Sequence, residues 1–260
     1  MIFVIAITVF IATIIGSISG IGGGVIIKPV MDAILSMPAS QISFLSGTTV
    51  LTMTIVSLLR SYMGGTRIEK RGIPLAIGGA LGGLLGKWLF DLSVSAVPSK
   101  AVSLIQNIVM VVLTVAVLVY QMKKDSIAKK NIQGFPLSML LGAFLGVLSS
   151  FLGIGGGPIN IMILSYFFSM DTKTSALCSL FIIFFSQVVS LLSSLVTRSI
   201  PQFDVSLLLI MMCCAVVGAF LGRYASKKMD NKAVDKLFFV LLIVIILISL
   251  YNVLRFSVLA

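Results

Sequence analysis

The chain contains no histidine. That absence excludes imidazole metal sites and every catalytic triad built on a histidine base. Acidic residues are also scarce, at 8 Asp plus Glu in 260 residues, and charged residues reach only 10%. Soluble domains carry about 25% charged residues. The three cysteines, Cys178, Cys213 and Cys214, lie inside apolar runs and lack the paired spacing of a disulfide framework or zinc site. They read as small hydrophobes between helices. The first twenty residues have no basic leading segment and no small-residue cleavage signature, so they read as a membrane segment and not as a signal peptide.

Apolar residues make up 58% of the chain. With so few charges, long stretches need an apolar solvent, and a lipid bilayer supplies it. The net charge of +11 does not point to nucleic acid. The basic residues sit in short clusters between apolar runs, which is how a membrane protein sets its orientation.

Six runs, at 41–63, 72–90, 101–122, 174–197, 204–222 and 237–257, are long enough for a helix across a core of about 30 Å. Four others form two pairs, 1–19 with 25–36 and 136–152 with 158–169. Each pair is joined by the same pentapeptide, Gly20-Ile21-Gly22-Gly23-Gly24 and Gly153-Ile154-Gly155-Gly156-Gly157. The second piece of each pair spans only about 18 Å as a helix and cannot cross alone.

The pentapeptides lie 133 residues apart, and other features repeat at offsets of 132 to 136. Val56-Ser57-Leu58-Leu59 returns as Val189-Ser190-Leu191-Leu192, and Lys100-Ala101-Val102 as Lys232-Ala233-Val234. Gly82-x-x-x-Gly86-Lys87 returns as Gly218-x-x-x-Gly222-Arg223. The pattern predicts an all-α integral membrane protein with two homologous repeats, 1–122 and 136–260, joined by a polar linker at 123–135. The basic loops 64–71 and 223–236 and the linker should be cytoplasmic; 91–100 and 198–203, with one basic residue each, should be external. Counting crossings then makes each repeat a broken re-entrant hairpin plus three transmembrane helices, with the second repeat inverted and both termini outside. A parallel eight-helix arrangement is the alternative.

A glycine break at membrane depth exposes backbone groups that lipid cannot satisfy, so it must be buried in protein or line a wet cavity. Facing breaks near the midplane, with half-helix N-termini aimed at the guest, are a secondary-transporter plan. The short helices are expected to start at Val25 and Pro158, and their positive ends suit an anion. Glycine removes the Cβ from the approach, and proline fits the first helical turn. Close packing is the competing reading of these glycines. It is the better one for Gly78, Gly82 and Gly86, for Gly142 with Gly146, and for Gly218 with Gly222. A nucleotide loop lacks its Lys-Ser/Thr and its acidic metal ligand.

The duplicated Gly-Ile-Gly-Gly-Gly, the short helix with Pro29, the Leu45-Ser46-Gly47-Thr48-Thr49 segment and the G-x-x-x-G-[KR] helices resemble the sulfite exporter TauE/SafE family, also called 4-toluene sulfonate uptake permeases. The resemblance covers the whole chain. It implies a transporter of small sulfur-containing or organic anions in the cell's inner (plasma) membrane, without a cofactor. The second repeat departs from the pattern. Met162 replaces Pro29, and Cys178-Ser179-Leu180-Phe181 stands where Ser46-Gly47-Thr48-Thr49 stands in the first.

Substrate contacts are expected from Gly20, Gly22, Gly23 and Gly24 and from Gly153, Gly155, Gly156 and Gly157. Further candidates are the donors Ser46, Thr48, Thr49, Asn160, Ser179 and Gln187, and Cys178. Lys28 either adds positive charge to the site or pairs with Asp32 four residues on. The partners expected are a small anion and membrane lipid, with no nucleic acid; a homodimer is compatible with the sequence. The alternative function is a membrane sulfur-handling protein or enzyme using Cys178. The missing histidine and the scarcity of acids weigh against catalysis.

Overall fold

A computed structural model of the chain describes residues 2–124 and 126–258. The described residues form ten α-helices and no strand. They are α1 (Ile2–Ser19), α2 (Gly24–Ile34), α3 (Ala39–Met63), α4 (Gly72–Ala96), α5 (Ser99–Lys123), α6 (Phe135–Leu152), α7 (Pro158–Phe168), α8 (Thr172–Val196), α9 (Val205–Lys228) and α10 (Asn231–Val258). Helix lengths follow the same order in both halves, with the 11-residue α2 and α7 each entered through a glycine loop. Eight helices are long and apolar enough to cross a membrane. Two more qualify than the apolar runs suggested, because α1 and α6 keep 18 uninterrupted helical residues before their glycine breaks.

Helices α4, α9 and α10 also outrun their apolar segments, adding 91–96, 223–228 and 231–236. Polarity does not end a helical hydrogen-bond ladder; helix-stopping backbone does. Here α4 stops at extended Val97 before Pro98, and α9 stops at extended Met229.

Glycines let the helices meet backbone to backbone. A Cβ at Gly78, Gly82 or Gly86 of α4 would overlap the backbone of Met139, Ala143 or Val147 of α6. Gly142 and Gly146 return the contact to Leu75 and Gly79, while Gly218 and Gly222 of α9 take Phe10, Thr13 and Ile14 of α1. In lipid, dispersion across such close approach holds helices together, since apolar burial alone gains little there. The correspondence is consistent: α4 packs on α6 as α9 packs on α1, and α4 on α8 as α9 on α3.

Helices α3 and α8 run antiparallel through the centre. Gly47 meets Gln187, Met53 packs with Leu180, and Gly72, which opens α4, meets Cys178. The bundle therefore has two distinct faces. One gathers the turns at 64–71, 126–134, 169–171 and 229–230. They are tied by Arg71 donating to Asn131 Oδ1 (2.7 Å), Lys130 N to Tyr166 O (2.8 Å) and Lys173 Nζ to Met229 O (2.9 Å). The opposite face gathers the ends of α1 and α10 and the turns at 35–38, 97–98 and 197–204, with Ala39 N bonded to Ser99 Oγ and Ser199 Oγ to Asp91. Most Lys and Arg lie at the first face; Lys87, Lys100, Arg198 and Arg255 belong to the second, and Lys28 is buried between. These are called the basic face and the terminal face below. Arg60, near the basic face, lies 4.0 Å over the Phe220 ring, which anchors α3 to α9.

Candidate functional site

The two glycine loops meet at the heart of the bundle. Gly22 packs against Gly155 O, Val50 and Ile183, and Gly155 and Gly156 pack against Val50 and Ile183 in turn. Val50 and Ile183 sit near the middle of the 25-residue helices α3 and α8. A Cβ at Gly24 would overlap the Ile154 carbonyl, and one at Gly156 would lie 3.3 Å from Ile21 O. Such contact needs both loops bare of side chains.

The loops also need backbone shapes that other residues resist. Gly153 closes α6 in the left-handed conformation (φ 64, ψ 24), its N–H donating to Ser150 O. Gly20, Gly22, Gly155 and Gly156 likewise have positive φ. Gly23 does not: it takes ordinary helical angles as the N-cap of α2, and α2 begins at Gly24, one residue earlier than expected. Ile26 N and Ile27 N both bond to Gly23 O, which leaves the N–H groups of Gly24 and Val25 outside the α2 ladder. In α7, Pro158 has no N–H and Asn160 N bonds to Gly157 O.

A cavity on the terminal face reaches Gly153 of this junction, and a second cavity lies on the basic face beside Cys178. The terminal-face cavity, about 60 Å³, is lined by Thr48, Gly153, Gln187, Ser150, Lys87 and Asp91, among others. The basic-face cavity, about 450 Å³, is lined by Arg67, Glu69, Lys173, Arg223 and Lys227, with the hydroxyls of Thr66, Thr174 and Ser226 and with Cys178.

The expected site residues thus separate. Thr48, Gly153 and Gln187 share the terminal-face cavity, where Gln187 Nε2 donates to Ser149 Oγ at 3.3 Å. Cys178 reaches the other cavity from a buried position. Thr49 Oγ1 bonds back to Leu45 O at 2.7 Å and faces neither. Ser46 is fully buried, and its Oγ has no partner among the described residues. Asn160 Nδ2 donates to Ser179 Oγ at 3.1 Å. Gly156, Gly157 and Asn160 border a small space lined mostly by apolar side chains.

Lys28 lines neither cavity. It pairs with Asp32 at 3.1 Å, both 2% exposed, on the side of α2 turned to α5 and α10. Asn107 donates to the same Asp32 oxygen, and Asn252 ties Asn107 to Pro29 O. A lysine one turn into α2 points away from the loop because the helix rotates it toward its acid.

The loop contacts also correct one correspondence. Gly20 meets Ala176 as Gly153 meets Ser43, and Val50 and Ile183 play matching parts. Each match is 133 residues apart, so Ser179 is the counterpart of Ser46, and Cys178 that of Leu45. Sequence reasoning also missed Lys87 and Arg223 as cavity-lining groups. Their signal was the duplicated G-x-x-x-G-[KR] motif, read only for packing and orientation. The glycines press α4 and α9 onto their neighbours, and the next residue is carried into a cavity.

Among the described residues no group of three or more His, Cys, Asp or Glu side chains stands ready to hold a metal. Residues 5–249 match the family described as Sulfite exporter TauE/SafE. Over 258 aligned residues the chain is 23% identical to a Bacillus subtilis (strain 168) protein, "Probable membrane transporter protein YunE", covering 90% of this chain and 92% of that one. No solved structure matches the chain. Eight apolar helices, paired glycine breaks and a match over nearly the whole length lead to one conclusion: the chain belongs to the sulfite exporter TauE/SafE family, and is a multi-pass membrane transporter, not an enzyme.

Proposed function

We propose that the protein carries a small anion, sulfite or a sulfonate, across the membrane by alternating access, with the two glycine loops as the central gate. The observation that carries this reading is the contact of the two loops between cavities that open to opposite faces. The halves 1–122 and 136–260 act as inverted repeats around the 123–135 linker. The antiparallel course of α3 and α8 and the matched packing of α4 on α6 and α9 on α1 support that symmetry. Separation of the loops would free the N-termini of α2 and α7 and a Cβ-free passage for an oxyanion. Thr48 and Gln187 stand beside it on one side.

The basic face is cytoplasmic on the positive-inside rule, and both termini are external. Single cysteines introduced at 66, 129 and 230 should resist a membrane-impermeant thiol reagent in intact cells, and one at 200 should label. Labelling at 230 from outside would overturn the inverted arrangement.

Transport runs outward, driven by the anion's own gradient and the membrane potential. The potential is worth about 2.3 kcal/mol per charge per 100 mV. A dianion thus gains about 4.6 kcal/mol on leaving a negative interior, roughly a thousandfold in equilibrium ratio. Proton-driven carriers use intramembrane acids. Here Asp32 Oδ2 is held by Lys28 and Asn107, and Asp32 borders a separate terminal-face cavity of about 370 Å³ with Lys100 and Arg255, not the two cavities on either side of the loops. In proteoliposomes loaded with sulfite or methanesulfonate, an inside-negative potential should speed efflux. Efflux that ignored the potential and followed a pH gradient would overturn the uncoupled mechanism.

A further inference from the structure

The repeat places one cation at each end of the pathway, and the two ends treat it differently. Lys87 lines the terminal-face cavity and pairs with Asp91 one turn later on α4. Asp91 also accepts from Ser199 Oγ at 3.4 Å, so this cation is neutralised in place. The corresponding Arg223 lines the basic-face cavity, and one turn later on α9 stands Lys227 where α4 has an acid. Arg223 is 8% exposed and has no salt-bridge partner among the described residues. Its Nη1 makes only a long bond to Ser17 O at 3.4 Å, and its Nε has no partner there. Burying a guanidinium without a counter-charge is costly, so a group held this way is poised for an anion that supplies it.

The surroundings fit the same guest. Arg67, Lys173 and Lys227 share the cavity with a single acid, the exposed Glu69, whereas the terminal-face cavity holds one balanced pair. Lys173 is fixed at the rim by Met229 O. Thr66, Thr174 and Ser226 add hydroxyl donors. A planar guanidinium presents two parallel N–H groups to two oxygens of a sulfite or sulfonate, and a cleft lined by one sign of charge concentrates the opposite ion.

We propose that the basic-face cavity is the anion-loading vestibule of this transporter, with Arg223 as its recognition group. The charge imbalance between the cavities then makes the protein load anions tightly at the basic face and release them readily at the terminal face. The proposal rests on the anion-transport reading above and adds to it the group and the face that select the substrate.

The test has a binding arm and a flux arm. Calorimetric titration of the purified protein with methanesulfonate should give saturable binding. Arg223→Gln should weaken it at least about tenfold, as expected for losing a charge-assisted pair. Arg223→Lys should recover part of it, and Lys87→Gln should leave it within about twofold. In oriented proteoliposomes, KM for methanesulfonate should be lower at the basic face than at the terminal face by about tenfold or more. Asp91→Asn should narrow that gap by uncovering Lys87. Unfolding temperatures of the variants identify any that are misfolded, and the Lys and Asp91 variants carry the test if Arg223→Gln is one of them. Equal KM at both faces, or wild-type binding in a folded Arg223→Gln protein, would overturn the proposal while leaving anion transport intact. Arg223-dependent binding without any flux would keep the vestibule and overturn the transport reading instead.

Discussion

Gly156→Val should abolish anion flux in proteoliposomes, to below about a tenth of wild type, with yield and chromatographic profile preserved. Gly156 has φ 136, a conformation that residues with a Cβ rarely adopt. Forcing one there costs of the order of 1–3 kcal/mol, paid locally at the loop. The new side chain would also run into Ile183 and approach Ile21 O, within the contact between the two loops. Gly24→Val should match it, because its Cβ overlaps the Ile154 carbonyl. Gly157→Ala is the control. Its φ of −166 suits any residue, and its Cβ would lie 3.5 Å from Ile154 Cδ1, an ordinary contact, so flux should persist. Gly23→Val, equal to Gly156→Val on sequence grounds, should be milder. Gly23 has helical angles, and its Cβ would meet Ala12 O at 3.2 Å, a squeeze and not an overlap. Wild-type flux in Gly156→Val would remove the glycine loops as the gate.

Asp32→Asn should give the largest loss of stability. It leaves the Lys28 ammonium, 2% exposed, without its counter-charge. Removing one partner of a buried pair typically costs about 3–5 kcal/mol, while replacing both with apolar groups of similar size is often close to neutral. The double variant Lys28→Met, Asp32→Leu should therefore regain most of the unfolding temperature and retain flux. Thermal unfolding in detergent beside the flux assay measures both. A fully stable Asp32→Asn that has lost flux, or a stable double variant that has lost it, would make this pair part of the transport machinery.

Much of this protein was legible from composition and spacing. The apolar runs gave the helices because a bilayer demands about twenty apolar residues per crossing and tolerates few charges. Helix α5 ends at Lys123 and α6 begins at Phe135. The duplicated pentapeptide marked the breaks at 20–24 and 153–157, since successive glycines cannot hold a helix. Local pattern was weaker at the helix ends, where α4 and α9 continue through polar residues until extended backbone stops them and α10 starts within its polar segment.

Contacts across the repeats had to come from the tertiary structure. Lys28 looked equally suited to an anion or to Asp32, and the rotation of α2 against α5 and α10, with Asn107 and Asn252 waiting there, decided for Asp32. The register of Ser179 with Ser46 emerged from what Gly20 and Gly153 touch, because a one-residue slip is invisible in an apolar sequence. Lys87 and Arg223 read alike along the chain. The packing of α4 and α9 brings them to cavities on opposite faces, where Asp91 neutralises one and Lys227 accompanies the other. Sequence determined the solvent and the helices, because those depend on local polarity and backbone freedom; the cavity each charge faces depends on long-range packing, and only the fold decided it.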